Sequence, residues 1–170
     1  PSVGENFPAI GTRDIMVGGD ELEDITAVAE LSTSANGSPE QSIVMAWTNN
    51  HAYMLLGEPL ETTEGGNVIG TLQVNKLNIA AGCVSQNTVC RTPYGTFWCG
   101  RDDVWFMPFG SLPIRVGTKI RPYIQNQPAG LLWRLHAEYS NGMYMLAMFK
   151  DGQGPSVYDP CGAQFWLNLK

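Results

Sequence analysis

The sequence predicts an all-β fold of antiparallel meanders, and three observations carry that expectation. The stretches 43–56, 88–110 and 135–149 each read as strands joined by tight turns, with apolar side chains on both faces. Their turns begin at Asn49, Tyr94 and Asn141, 45 and 47 residues apart. No stretch has the i, i+3, i+4, i+7 apolar spacing of a long amphipathic helix. An antiparallel meander usually keeps one hydrated face, so units that are apolar on both sides need a cover above and below. A period of about 40–50 residues is that of a four-stranded propeller blade, and blades stack face to face around an axis. The expectation is therefore about three blades of a β-propeller-like fold (approximately 24–75, 76–124 and 130–170), preceded by an N-terminal arm or loop at 1–23. Three blades are fewer than usually close a propeller, so other chain segments or subunits are expected to complete the ring. A β-sandwich competes, but its two sheets each carry a polar outer face, and the sequence offers few such faces.

Taken in order, residues 1–19 are rich in breakers and have no period. DITAVAEL (24–31) alternates and reads as a first strand, and STSANGSPEQ (32–41) as a polar surface loop. IVMAWTNNHAYMLL (43–56) folds about Asn49-Asn50, which sets Trp47 opposite Ala52, Met45 opposite Met54 and Ile43 opposite Leu56. Val44, Ala46, Tyr53 and Leu55 make the other face. A polar loop at 60–67 and a fourth strand at 68–74 follow. In TVCRTPYGTFWCGRDDVWFMPFG (88–110) a first turn at Tyr94-Gly95, with Gly95 supplying positive φ, sets Cys90 opposite Cys99 and Thr92 opposite Phe97. A second turn at Arg101-Asp102 sets Trp98 opposite Trp105 and Phe97 opposite Phe106. One face then carries Cys90, Phe97, Cys99, Val104 and Phe106, and the other Val89, Trp98, Trp105 and Met107. Pro113 and Pro122 argue for a short strand and extended chain over 111–123, and against a helix. Residues 131–134 start the third hairpin, which turns at Asn141-Gly142, the strongest short hairpin signal because both central residues of a type I′ turn need positive φ. Leu135, Ala137, Tyr139, Tyr144, Leu146 and Met148 share one face, and His136, Glu138, Met145, Ala147 and Phe149 the other. A Gly/Pro loop at 151–161 leads to a last strand at 163–169.

The chain has 170 residues, enough for one domain with a real core. Its 19 glycines and 11 prolines suit short strands and many turns, and a charged share of only 15% implies that much of its surface is covered. The net charge of −6 is unevenly spread: residues 1–85 hold eleven acids and two bases, residues 86–170 five acids and eight bases. Such asymmetry suits head-to-tail contacts between subunits, and equally two solvated faces of unequal charge. The acidic total argues against tight nucleic-acid binding, which needs clustered Lys and Arg. No 18-residue apolar run is present, so no membrane span is expected. The start lacks the basic and apolar regions of a signal peptide and lacks Met, and the end stops in a strand-like run; both lead us to expect a piece of a longer chain.

The residues that could do chemistry form no convincing constellation. Cys83, Cys90, Cys99 and Cys161 match no zinc spacing. The facing of Cys90 and Cys99 allows a cross-strand disulfide, while small buried reduced thiols are the preferred reading. His51 sits beside a turn and is expected to be solvated. His136 alternates with Glu138 on one strand face, where the two can meet, and a structural hydrogen bond is preferred to a metal or catalytic role. Asp102-Asp103 resembles a catalytic carboxylate pair but sits in a turn, where Asp bonds its own backbone. No P-loop, G-x-G-x-x-G or G-x-S-x-G is present. The tryptophans and tyrosines are assigned to core packing rather than to a sugar-binding platform. No catalytic, cofactor-binding or metal-ligating residue is assigned, and the chain is not expected to be an enzyme.

The runs DITAVAEL, IVMAWTNNHAYMLLGEP, GCVSQNTVCRTPYGTFWCGRDDVWFM with PIRVGTKIRPYI, LHAEYSNGMYMLAMF and AQFWLNL, in that order, resemble the β-propeller portion of the nozzle, or tail tubular, proteins of short-tailed bacteriophages. The resemblance spans about residues 24–169 and is one of blade style. The family's chains are much longer, with further domains around the propeller. The resemblance implies a structural virion protein, assembled in the host cytoplasm into the tail. Its copies would form a ring or tube with other tail, adaptor or portal proteins, through which double-stranded DNA passes during ejection without being tightly bound. It implies no cofactor and no catalytic residue. Two other classes compete. A propeller-type carbohydrate-binding module or glycosidase needs paired carboxylates at a channel mouth, and the sequence does not bring Glu138, Asp102 and Asp159 together. A host scaffold propeller would show G-H and W-D repeat signatures, which are absent.

Overall fold

The computed structural model describes residues 23–31, 43–56, 61–62, 68–69, 73–148 and 163–168. They form three antiparallel sheets and one short ribbon. The all-β expectation holds. The arm at 1–22, the loops at 32–41 and 151–161, Cys161 and Asp159 lie outside the described residues.

The first hairpin folds as the pattern requires. Strand β1 (Ile25–Leu31) pairs with β2 (Ile43–Thr48), and β2 with β3 (Ala52–Leu56), in a register that sets Trp47 opposite Ala52 and Met45 opposite Met54. The ribbon of β4 (Glu61–Thr62) and β5 (Val68–Ile69) interrupts the chain before β6 (Gln73–Lys76) completes the sheet beside β3. The expected strand over 68–74 is thus two strands in two different sheets, and the polar loop expected at 60–67 contains β4. Neither β4 nor β6 has the apolar alternation by which strands are recognised.

The second sheet runs β10-β9-β8-β7, from β7 (Cys90–Thr92), β8 (Gly95–Cys99), β9 (Val104–Pro108) and β10 (Ile114–Arg115). Its first turn sits one residue earlier than expected, at Pro93-Tyr94. Cys90 therefore pairs with Phe97 and Thr92 with Gly95, not with Cys99 and Phe97. Pro93 presets one turn dihedral. The Thr92 hydroxyl holds the turn, donating to the Gly95 carbonyl (2.9 Å) and accepting from the Tyr94 amide (3.1 Å). Gly95 has the positive φ expected of it, at 151°, and is needed for room as well: a Cβ there would meet the Met107 carbonyl on β9. The slip moves the pairing by two residues, one full period of the pleat, so every side chain keeps its expected face. The second turn has the expected register, with Trp98 opposite Trp105 and Phe97 opposite Phe106.

Two short helical pieces connect this sheet to the third, where extended chain was expected. One is α1 (Arg121–Gln125) and the other a 3-10 helix at Ala129–Arg134. Pro122 lies in the first turn of α1, where the missing N–H has no intrahelical partner to lose. The third sheet is β11 (His136–Ser140), β12 (Met143–Met148) and β13 (Ala163–Asn168). Its turn is type I′ as expected, with Asn141 at φ 52° and Gly142 at φ 79°.

The sheets lie in a row, and the middle one is clamped. Its Trp face packs on the first sheet: Trp98, Trp105 and Met107 share a buried cluster with Ala27, Met45, Trp47 and Ala52, and the Trp47 and Trp98 rings lie 5.2 Å apart. Its Phe face packs on the third sheet: Phe97, Cys99 and Val104 share a second cluster with Ala137, Tyr144, Leu146 and Met148. Phe97 stacks between Phe106 (4.3 Å) and Tyr144 (5.0 Å). Hydrogen bonds knit the linkers into both layers, Trp98 Nε1 donating to the Ala81 carbonyl (3.1 Å) and the Tyr144 hydroxyl to the Thr88 carbonyl (2.9 Å). The third sheet departs from the expected design. Its outer face is open, with His136, Glu138 and Gln164 exposed and Trp166 58% exposed.

Candidate interaction faces

The residues picked out for chemistry are scattered, and most serve the backbone. Among the described residues no three of His, Cys, Asp or Glu gather as they would around a metal ion. His51, expected to be solvated, is instead partly buried beside Glu23, with Nδ1 3.1 Å from Oε2. Glu23 also accepts from Asn50 Nδ2 (2.7 Å) and from the Thr48 hydroxyl. The β2–β3 turn thus closes around the carboxylate at the entrance to β1. Burial opposes that charge, but the hydrogen bonds from Thr48, Asn50 and His51 outweigh it and hold the Glu23 carboxyl down at about 2. Sequence reading missed Glu23 because its partners are 25 to 28 positions away and no local motif links them.

Asp103 is also more than a turn residue. Its side chain is fully buried; Oδ1 accepts from the Val104 amide (2.9 Å), as expected of a turn Asp, while Oδ2 takes Nε (3.2 Å) and Nη2 (2.6 Å) of Arg121. This fork fixes the start of α1 against the β8–β9 turn. Gly117 makes room for it, since a Cβ there would meet Asp103 Oδ1 at 2.7 Å. Asp102 faces outward to Arg115 (3.3 Å), whose guanidinium lies 4.9 Å over the Trp105 ring. The two carboxylates are therefore a staple and a surface ion pair, each already matched to an arginine.

Cys83, Cys90 and Cys99 are free and buried. The register separates Cys90 from Cys99, so the sequence-based disulfide does not form; Cys99 lies opposite Val104. Burial pushes the Cys83 thiol up to about 11, against hydrogen bonds to Thr88 and Ser85. Burial and then the charge of Glu138 push Cys90 to about 11. Burial drives Cys99 higher still. Such thiols are poor nucleophiles at neutral pH. His136 and Glu138 share the outer face of β11, both exposed.

The two ends of the row are the outer faces of the third and first sheets. On the outer face of the third sheet, Glu138, Met145 and Trp166 stand directly opposite one another across β11, β12 and β13. Trp166 departs from the assignment of the aromatic residues to the core, because the alternation that buries Phe165 and Leu167 partly turns it outward. On the outer face of the first sheet, Val28, Ala46, Tyr53 and Lys76 form one row and Glu30, Val44, Leu55 and Val74 the next. Val28 is 46% and Val74 36% exposed at its margins, while Ala46 and Tyr53 at its centre are buried. A separate apolar cavity of about 250 Å³ lies between Leu31 and Ile43 on one side and Met107 and Phe109 on the other, with no titratable side chain among the described residues that line it.

Compared with known proteins, the sequence matches no family model and no curated relative.

Proposed function

We propose that this chain is a structural protein of a bacteriophage tail. In this reading its three sheets are consecutive blades of a propeller-like wall, and several copies, with other tail proteins, surround a channel for double-stranded DNA. The clamped middle sheet carries the reading: it is apolar on both faces because neighbours cover both, as in a blade set within a ring. The resemblance of the strand runs to tail nozzle proteins supplies the biological setting. The chemistry agrees with a structural role, since Asp103 and Glu23 spend their charge on holding turns. An excess of six negative charges suits a wall that lets a polyanion pass without gripping it. No reaction is assigned to the chain.

Mass photometry of the chain, with negative-stain electron microscopy of the particles, tests this reading. Multi-copy particles with a central channel are expected, and antiserum against the chain should label the tails of the virions that encode it. A strictly monomeric protein at all concentrations, or antiserum that labels no virion, overturns it.

A further inference from the structure

The geometry points to a ligand site in the cavity between the first and second sheets, and to the class of its ligand: a single aromatic ring carrying one uncharged hydrogen-bonding group. The inference goes beyond the assembly proposed above and does not depend on it.

The cavity follows from how the two sheets fill the space between them. On the Trp face of the second sheet, Trp98 stands opposite Trp105, and the next row of that face sets Thr96 opposite Met107. The first sheet answers with Trp47 opposite Ala52, then Met45 opposite Met54, then Leu31 opposite Ile43. The tryptophan rows close the gap, with the Trp47 and Trp98 rings 5.2 Å apart. Thr96 is too small to do the same, and a space of about 250 Å³ is left beside it. A cavity of about 150 Å³ already accepts benzene, so this one has room for a ring with a short substituent. Leu112, 65% exposed, lines it from the loop after β9, so the space is reached from the surface without parting the sheets.

Three features of the lining choose the ligand. Met54 and Met107 bring thioethers from the two sheets and Phe109 adds a ring, and such partners favour an aromatic guest over an aliphatic one. No titratable side chain is found among the described residues of the lining, so an ion would give up its hydration there without gaining a partner. Thr96 supplies the polar contact. It is only 2% exposed, yet its hydroxyl finds no hydrogen-bond partner among the described residues. The hydroxyls of Thr88 and Thr92, also buried, both reach backbone carbonyls (2.8 and 2.9 Å). A buried hydroxyl without a partner costs stability, and a phenol or similar group on the ring would restore the missing bond. A ring held in this way touches both sheets and ties the first to the second.

The test uses the 170-residue chain with isotopically labelled methionine methyl groups, and circular dichroism to check that each variant folds. Titration with para-ethylphenol should move the NMR signals of the Met54 and Met107 methyls, leave those of Met143, Met145 and Met148 in place, and raise the melting temperature by mass action. The charged analogue para-ethylbenzoate should bind roughly tenfold or more weakly than the phenol. Thr96→Val removes the hydroxyl and should weaken para-ethylphenol roughly tenfold relative to ethylbenzene, whereas Thr96→Ser should keep the wild-type ratio. If neither uncharged compound shifts Met54 and Met107 up to its solubility limit, the site is overturned. Shifts confined to other methionines overturn it too, by placing the ring elsewhere. Equal binding of the benzoate overturns the uncharged class, and a ratio untouched by Thr96→Val overturns the part given to the hydroxyl. None of these results bears on the proposed assembly, which mass photometry tests separately.

Discussion

Glu23 shows how much a single carboxylate can hold. Three donors from the β2–β3 turn converge on it, and they depress its ionisation to about 2 despite burial. The sign of the consequence follows from that depression. The folded state holds the proton less tightly than the unfolded chain, so the stabilisation is complete above the ordinary carboxyl range near 4.5 and is lost as pH falls towards about 2. We predict that urea unfolding at pH 7 and pH 3 will show wild type losing more stability than Glu23→Gln, by at most about 2 kcal/mol. Equal losses in the two proteins would mean that the clasp contributes nothing. Nothing in the residues near Glu23 in the chain announces this role. Asp103 was legible by half: its turn position foretells the bond to the Val104 amide, while the buried fork from Arg121 comes from a helix that Pro122 argued against.

At the scale of the element, the glycines separate two causes of constraint. Gly142 needs its backbone conformation, at φ 79°, and has open space where a Cβ would go. Gly82 needs room, since a Cβ would run into the carbonyl of Asn49 and the amide of Asn50, backbone atoms that have nowhere to retreat. Gly142→Ala should therefore cost about 1 kcal/mol, from left-handed strain alone. Gly82→Ala should cost about 3 kcal/mol by overpacking the β2–β3 turn. Equilibrium denaturation of the two variants gives the order directly, and the reverse order would contradict these assignments. The same contrast marks what the sequence could show. Asn141-Gly142 and the alternation in β2, β3, β8, β9, β11 and β12 fix strands, turns and faces, because they are local signals with a period of two. The Pro93-Tyr94 turn was misplaced because Gly95 reads as a turn glycine, and only the nearness of β9 reveals its other use. The short strands β4 and β6 carry too few side chains to have a pattern at all, whereas the short strand expected within 111–123 is found as β10.

For the whole molecule, the row of sheets matters more than any one of them. Among the described residues, the two buried clusters share no member, and each joins the middle sheet to one outer sheet. Cohesion is therefore passed between nearest neighbours, as in a linear array of repeats, and not pooled in a common centre. The outermost strands should fray first, and the centre should melt only when both flanks have let go. In native-state hydrogen exchange the amides of β8 and β9 should outlast those of β13 by tenfold or more, a ratio of at least about 1.4 kcal/mol in opening free energy; slower exchange in β13 would refute the ordering. A chain built this way can gain cooperativity from outside itself, because any neighbour that extends the row turns a frayed margin into another protected middle.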